Sequence, residues 1–268
     1  MGAKYFPLFE KVQAGVQELQ QGRLLQAWKQ KHPQSYHFVL QRFSLKSFIG
    51  FPLTLVLLVA ALQVLLLSEV TEDLVESSPM VQTDLDITTF LFQHREPGAA
   101  QFFYHLTFMG SGDMSVYIGI GLTVLLGWLR KWWAILAFWL VLGGMGLSVK
   151  YGKEIFERPR PVQEAYYVNK HFSFPSGHSA TAVVVYGMVA YLAGGLKKSL
   201  KRPLVWGTAI LLIGLIGFSR IYLGMHYFSD VVAGFMLGSL WLLGGITFLE
   251  LMRYRQSRRE EAEFTVQS

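Results

Sequence analysis

The chain has 268 residues, of which 52% are hydrophobic and 16% charged, with 20 Phe, 12 Tyr and 7 Trp. That composition is too apolar for a disordered chain, and its long apolar runs exceed what a soluble domain buries, so a bilayer is the expected solvent. The absence of cysteine excludes disulfide frameworks, thiolate metal sites and cysteine nucleophiles, while the meaning of the net charge of +6 depends on where the basic residues lie.

In chain order, residues 1–47 form a leader too long for the basic region of a signal peptide. Within it Leu8, Val12, Val16 and Leu19 recur near helical spacing, followed by Leu24, Leu25 and Trp28, which suits either a helix on the inner membrane face or a solvated one. Apolar stretches follow at about 48–67, 113–129, 132–150, 178–195, 204–223 and 230–251. A helix needs about 20 residues to cross a hydrocarbon core of about 30 Å, so each stretch predicts a span. The second is the weakest, because Gly110-Ser111-Gly112 interrupts its apolar pattern. The amphipathic run from Ile87 to Phe108, on the outer side, suits the same two readings, a helix on the membrane face or a solvated one. The expected fold is all-α, a six-helix transmembrane bundle over 48–251 with segments 1–47 and 252–268 in the cytoplasm, because helices satisfy their own backbone polar groups in lipid.

The leader, Arg130 and Lys131, the group Lys197, Lys198, Lys201 and Arg202, and the tail arginines 253, 255, 258 and 259 together hold 17 of the 24 basic residues. The loop after the first span carries Glu69, Glu72, Asp73, Glu76, Asp84, Asp86 and Glu96 against Arg95. The positive-inside bias therefore predicts a multi-pass protein of the cell (inner) membrane with both termini cytoplasmic. Topology explains the basic excess, so nucleic acid is not an expected partner.

Ionisable groups at membrane depth are costly and mark function. Here they gather at four predicted helix ends: Lys153 to Pro161, Pro175-Ser176-Gly177-His178, Ser219-Arg220 and His226 to Asp230. Alternating topology puts all four ends on the outer side. The blocks Lys153-x6-Arg160-Pro161, Pro175-Ser176-Gly177-His178 and Ser219-Arg220-x5-His226-x3-Asp230 resemble the signature of the type 2 phosphatidic acid phosphatase (PAP2) family of integral-membrane lipid phosphatases. The resemblance spans about residues 84–245 with no signature position missing. It implies attack by His226, a phosphohistidine intermediate and in-line hydrolysis. It does not choose among substrates, because the signature contacts the phosphate that all members share.

The same residues carry the chemistry on their own terms. Lys153, Arg160 and Arg220 supply cations for a phosphoester, and the arginine fork suits paired oxygens. A helix starting at Ser176-Gly177-His178 presents free amides and the positive end of its dipole, with the Ser176 hydroxyl as a further donor. His226 and Asp230, four apart, share a face if both are helical, so the carboxylate can hold one imidazole nitrogen as N–H and leave the other as nucleophile. His178 is assigned as general acid and then base. Three cations and the amides stabilise the transition state without a metal, and no cofactor is expected. Asp84, Asp86 and Asp113 read as solvated loop acids rather than metal ligands, and Arg158 and Lys150, lacking signature offsets, as interface residues. Tyr166, Tyr167, Asn169 and Lys170, between two blocks, are placed to select a head group. Gly234-x-x-x-Gly238 and Gly143-Gly144-x-Gly146 predict close helix packing.

The expected function is hydrolysis of a lipid phosphate or diphosphate taken from the outer leaflet, isoprenyl diphosphate or phosphatidylglycerol phosphate before a soluble ester. Transfer of the phosphoryl group to another acceptor is the first alternative. A non-catalytic transporter or scaffold is the second, against which both histidines argue.

Overall fold

The computed structural model describes residues 26, 29–33, 35, 36, 42, 48–75, 79–161, 163–168, 171–196 and 202–267. The leader periodicity at Leu8 to Leu25, Asn169 and Lys170 lie outside them. The chain divides into two compact units, Met1–Leu58 with Tyr254–Ser268, and Val59–Arg253. In the first unit the Thr54 hydroxyl donates back to the Gly50 carbonyl at 3.1 Å and Arg42 Nη1 donates to the Ile49 carbonyl at 3.1 Å.

The described residues form α1 (Phe51–Val75), α2 (Pro79–Gln93), α3 (Pro97–Thr107), a 3₁₀ turn (Phe108–Gly110), α4 (Gly112–Trp128), α5 (Trp132–Phe156), α6 (Gly177–Leu196), α7 (Arg202–Tyr222) and α8 (Phe228–Gln267). The amphipathic run from Ile87 is two helices, broken where Pro97 starts α3. Ser111 caps α4, its hydroxyl accepting from the Met114 amide at 3.1 Å, which accounts for the break in the apolar pattern. The last helix continues to Gln267.

Among the described residues four helices are long and apolar enough to cross a membrane: α1, α5, α7 and α8. α3 and α4, bent by 48° at their break, make a fifth if they cross as one. This is one fewer than the six apolar stretches predict, and the difference is α6. That helix opens on Gly177-His178-Ser179 and is buried along most of its length, Ala180, Ala182, Val184, Val185 and Met188 included. A helix sheathed by other helices meets little lipid and can carry polar residues that a lipid-facing one cannot.

Packing builds the second unit around α6. Leu126, Ala134, Phe138, Val185, Met188 and Leu249 join α4, α5, α6 and α8, and Val141, Met145, Val149, Ala180 and Val184 continue the α5–α6 seam. A Cβ on Gly234 would stand 2.5 Å from the Ser176 carbonyl oxygen, and one on Gly238 would stand 2.7 Å from that of Ala180, so this pair lets α8 approach the start of α6. The other glycine cluster is less uniform: Gly144 abuts Trp241, but Gly143 and Gly146 have nothing within 4 Å. Large apolar side chains such as Leu65, Val124 and Trp128 are exposed, as lipid-facing surface requires.

Candidate active site

The C-terminal ends of α5 and α7 and the N-terminal ends of α6 and α8 carry the signature residues. α5 stops one turn after Lys153, where Glu157 adopts a left-handed conformation (φ +43°) and returns its amide to the Lys153 carbonyl at 3.1 Å. The chain then runs without regular structure through Arg158-Pro159-Arg160-Pro161. Lys153 Nζ donates to the Phe172 carbonyl at 2.8 Å. Arg160 is gripped by backbone: Nε donates to the His171 carbonyl at 2.6 Å, Nη2 to that of Phe172 at 3.1 Å, and Nη1 to that of Met225.

Ser176 is fully buried at the start of α6. Its amide donates to the Asp230 carbonyl at 3.0 Å, and its hydroxyl accepts from the Ser179 hydroxyl at 2.9 Å as the N-cap of α6. Gly177 and His178 follow as the first helical residues, whose amides have no partner one turn back. The backbone amides of this helix start and the His178 side chain stand at the same end of α6.

His226 is not helical. α7 ends at Tyr222, a turn through Gly224 (φ +63°) follows, and α8 begins only at Phe228. The contact with Asp230 is made across this helix start and not along one helical face as the spacing suggested. His226 Nδ1 lies 3.3 Å from Asp230 Oδ2, which also accepts from the Tyr227 amide at 3.0 Å, so Asp230 caps α8 and faces the imidazole with the same oxygen. The other nitrogen, Nε2, lies 3.2 Å from Arg160 Nη1. The Met225 and His226 amides both donate to the Arg220 carbonyl, at 2.9 and 3.1 Å, fixing the turn to the end of α7. Arg220 Nη1 donates to Thr107 Oγ1 and to the Tyr167 hydroxyl, each at 2.9 Å, while its buried Nε has no partner among the described residues. All eight residues named from the sequence therefore meet at these four helix ends.

Burial holds the His226 imidazole well below its ordinary pKa of 6.5, and the charges of Arg220, Arg160 and Lys153 act in the same direction. Burial and the neighbouring Arg220 charge lower Arg160 to about 10, which leaves it a cation near neutral pH. The ring is thus kept neutral with its Nδ1 side toward a carboxylate, as a nitrogen nucleophile requires. Among the described residues no group of three or more His, Asp and Glu is placed to hold a metal ion.

Two sequence readings are overturned. Asp84 is 1% exposed and not solvated, with Oδ1 accepting from the Ser229 amide at 2.9 Å and Oδ2 from Arg158 Nη2 at 2.8 Å. Arg158 is no interface residue, because its Nη1 donates to Asp230 Oδ1 at 2.6 Å. Sequence reasoning also missed Thr107, and Arg95, whose Nε and Nη2 donate to the Tyr222 and Glu164 carbonyls at 2.9 and 2.7 Å and so pin the turn before His226. No local signal marked these residues: Arg158 and Asp84 stand 74 positions apart, and Thr107 and Arg220 113.

Comparisons with known proteins point to one family. Residues 131–254 match the model of the PAP2 superfamily. Phosphatidylglycerophosphatase B of Bacillus subtilis is 35% identical over 173 residues, covering 60% of this chain and 81% of the relative. An undecaprenyl-diphosphatase of Sulfolobus acidocaldarius is 37% identical over 71 residues, 26% of this chain and 30% of the relative. Among solved structures, the transmembrane PAP2-type phosphatidylglycerolphosphate phosphatase of Bacillus subtilis superposes with a TM-score of 0.64 at 31% identity, over 71% of this chain and 96% of that one.

Proposed function

Because the chain belongs to the PAP2 superfamily and is a phosphate ester hydrolase of that family, we propose that it hydrolyses a lipid phosphate or diphosphate through a phosphohistidine on His226, without a metal. The observation that carries this reading is the pair of contacts on one imidazole: Asp230 at Nδ1 and a phosphate-type cation, Arg160, at Nε2. A histidine held only for structure has no use for a guanidinium at its free lone pair.

The phosphate sits among Lys153, Arg160, Arg220 and the amides of Gly177 and His178, with the unpartnered Arg220 Nε as one donor. His226 Nε2 attacks phosphorus and the bond to the leaving oxygen breaks, His178 giving that oxygen its proton. Water then attacks the phosphohistidine, His178 takes the proton, and the P–N electron pair returns to Nε2 as inorganic phosphate leaves. The equatorial oxygens gain charge in each transition state, where the fixed cations and amides act most strongly.

α1, the bent pair α3–α4, α5, α6, α7 and α8 together make six crossings, which return both termini to one side. The concentration of basic residues there makes that side cytoplasmic, so the site opens to the exterior at head-group level and lipid enters sideways from the outer leaflet of the cell membrane. This favours phosphatidylglycerol phosphate or isoprenyl diphosphate over soluble esters. Phosphate release from a panel of lipid mono- and diphosphates, with a soluble phosphate monoester and an alcohol acceptor alongside, tests the reading. Wild type should release free phosphate from the lipids and His226→Asn should release none; an active His226→Asn, or a soluble ester turned over far faster than any lipid, sinks it.

A further inference from the structure

Asp84 and Arg158 take no part in the steps above, yet they form a continuous bonded chain with the residues that do. From α2, Asp84 accepts from both the amide and the hydroxyl of Ser229, and from Arg158 Nη2 at 2.8 Å. Arg158 Nη1 in turn donates to Ser229 Oγ at 2.8 Å and to Asp230 Oδ1 at 2.6 Å, its guanidinium carbon lying 4.2 Å from the centre of the Tyr227 ring. Asp230 Oδ2 then faces His226 Nδ1. The order is carboxylate, guanidinium, carboxylate, imidazole, with both carboxylates buried and the arginine side chain 12% exposed.

A buried carboxylate bonded through one oxygen alone can turn about its terminal torsion, which is broad and roughly two-fold. Here each oxygen has its own fixed partners, Arg158 on one and the Tyr227 amide on the other. Burial works against the Arg158 charge, but Asp230 and Asp84 more than offset it and leave its pKa above the ordinary value. We propose that Arg158, held by Asp84, is a positioning residue for the reaction: it fixes the Asp230 carboxylate so that Oδ2 keeps the Nδ1–H of His226 and Nε2 stays free to attack. The inference rests on the His226 mechanism above.

Charge gives the chain a signature that simple bracing would lack. His226 is faced by Lys153 from α5, Arg160 from the following loop, His178 from α6, Arg220 from α7 and Asp230 from α8. Behind Asp230 stand one cation and one anion. Removing the Arg158 cation favours protonated His226 and moves the acid limb of kcat/KM to higher pH; removing the Asp84 anion leaves that cation less compensated and moves the limb to lower pH.

The test uses the full-length protein and phosphatidylglycerol phosphate in mixed micelles. Arg158→Gln should lower kcat about 10–100-fold, the usual loss for an outer partner of an active-site ligand, with KM within about twofold. Asp84→Asn should lower kcat less, with the limb displaced the other way. The double variant should fall no further than Arg158→Gln, because the two act as one unit. Arg158→Lys, which keeps the charge and loses the fork, should lose kcat while holding the wild-type limb. Wild-type kcat in Arg158→Gln, or limbs moving in the same direction in both single variants, overturns the proposal. If Arg158→Gln does not fold, the Asp84→Asn limb and the Arg158→Lys profile decide it in the same way. His226→Asn runs beside them: activity there refutes the phosphohistidine, whereas an inactive His226→Asn with an indifferent Arg158→Gln refutes this inference alone.

Discussion

Gly224→Ala tests how firmly the turn places the nucleophile. The residue has φ +63°, and an added Cβ would stand 2.2 Å from the Glu164 carbonyl oxygen and 3.0 Å from Arg95 Nη2. The left-handed conformation costs an alanine about 1–2 kcal/mol. Carbon–oxygen contacts sit at about 3.3 Å or beyond, so the turn and the Glu164 loop must separate by about 1 Å. The obstructing atom is backbone and cannot swing aside. Separation also strains the Tyr166 amide bond to the Leu223 carbonyl, 2.9 Å, and the Arg95 bridge across Tyr222 and Glu164. Overpacking of this kind adds about 1–3 kcal/mol, giving a total loss of about 2–5 kcal/mol. Because His226 follows two residues later with its amide tied to Arg220, the shift reaches the imidazole, and a misplacement of about 1 Å costs about 100-fold in rate. Phosphate release and thermal unfolding in the same micelles read both effects: kcat down about 100-fold and Tm down by about 5–15 °C. Gly143→Ala in α5, with nothing within 4 Å, is the control and should keep wild-type kcat while gaining about 0.5–1 kcal/mol. A Gly224→Ala protein with wild-type kcat would refute the argument that this turn sets the nucleophile.

On the proposed mechanism His226 attacks as the neutral imidazole, and burial holds its pKa well below 6.5, so the acid limb of kcat/KM should fall well below pH 6.5 as the lower side of a bell whose limbs belong to the coupled histidines. A limb at or above 6.5, or a flat profile from about pH 5 to 9, contradicts that. Arg160→Lys gives up a fork that reaches three carbonyls and the imidazole; losing two charge-assisted bonds at about 1.5–3 kcal/mol each should lower kcat/KM at least 100-fold, and a loss under about tenfold argues against the clamp. His178→Asn removes the base for the second step, so rapid quench with a substrate bearing a good leaving group should trap acid-labile phosphate on the protein. Equal trapping in His226→Asn/His178→Asn would place the phosphate on another residue.

The parts legible in the sequence were those governed by short-range rules. Apolar length located the starts of the long helices to within about three residues but not the ends of α1, α5 and α8, whose last turns are polar, and fixed offsets picked out Lys153, Arg160, Arg220, His178, His226 and Asp230, which the fold brings together. What escaped depends on tertiary burial. α6 reads as one span among six by its apolar count, and only the fold shows that it is buried along most of its length. His226 and Asp230 have helical spacing, but Gly224 turns the chain before α8 starts, so the contact is a helix-start contact. Asp84 looks like one acid among many in an acidic loop, and only the fold shows that Arg158 closes over it.

Arg160 Nη1 lies 3.2 Å from His226 Nε2, the nitrogen to which the proposed mechanism assigns the attack. On the proposed mechanism that contact would work as a safety catch. A neutral electrophile reaching the ring meets nitrogen electrons already engaged, whereas a dianion offers the guanidinium a better acceptor and draws it off as it arrives. The enzyme should thus be armed by its own substrate: tetrahedral oxyanions ought to compete for the pocket, and uncharged esters of the same shape ought to leave the histidine untouched.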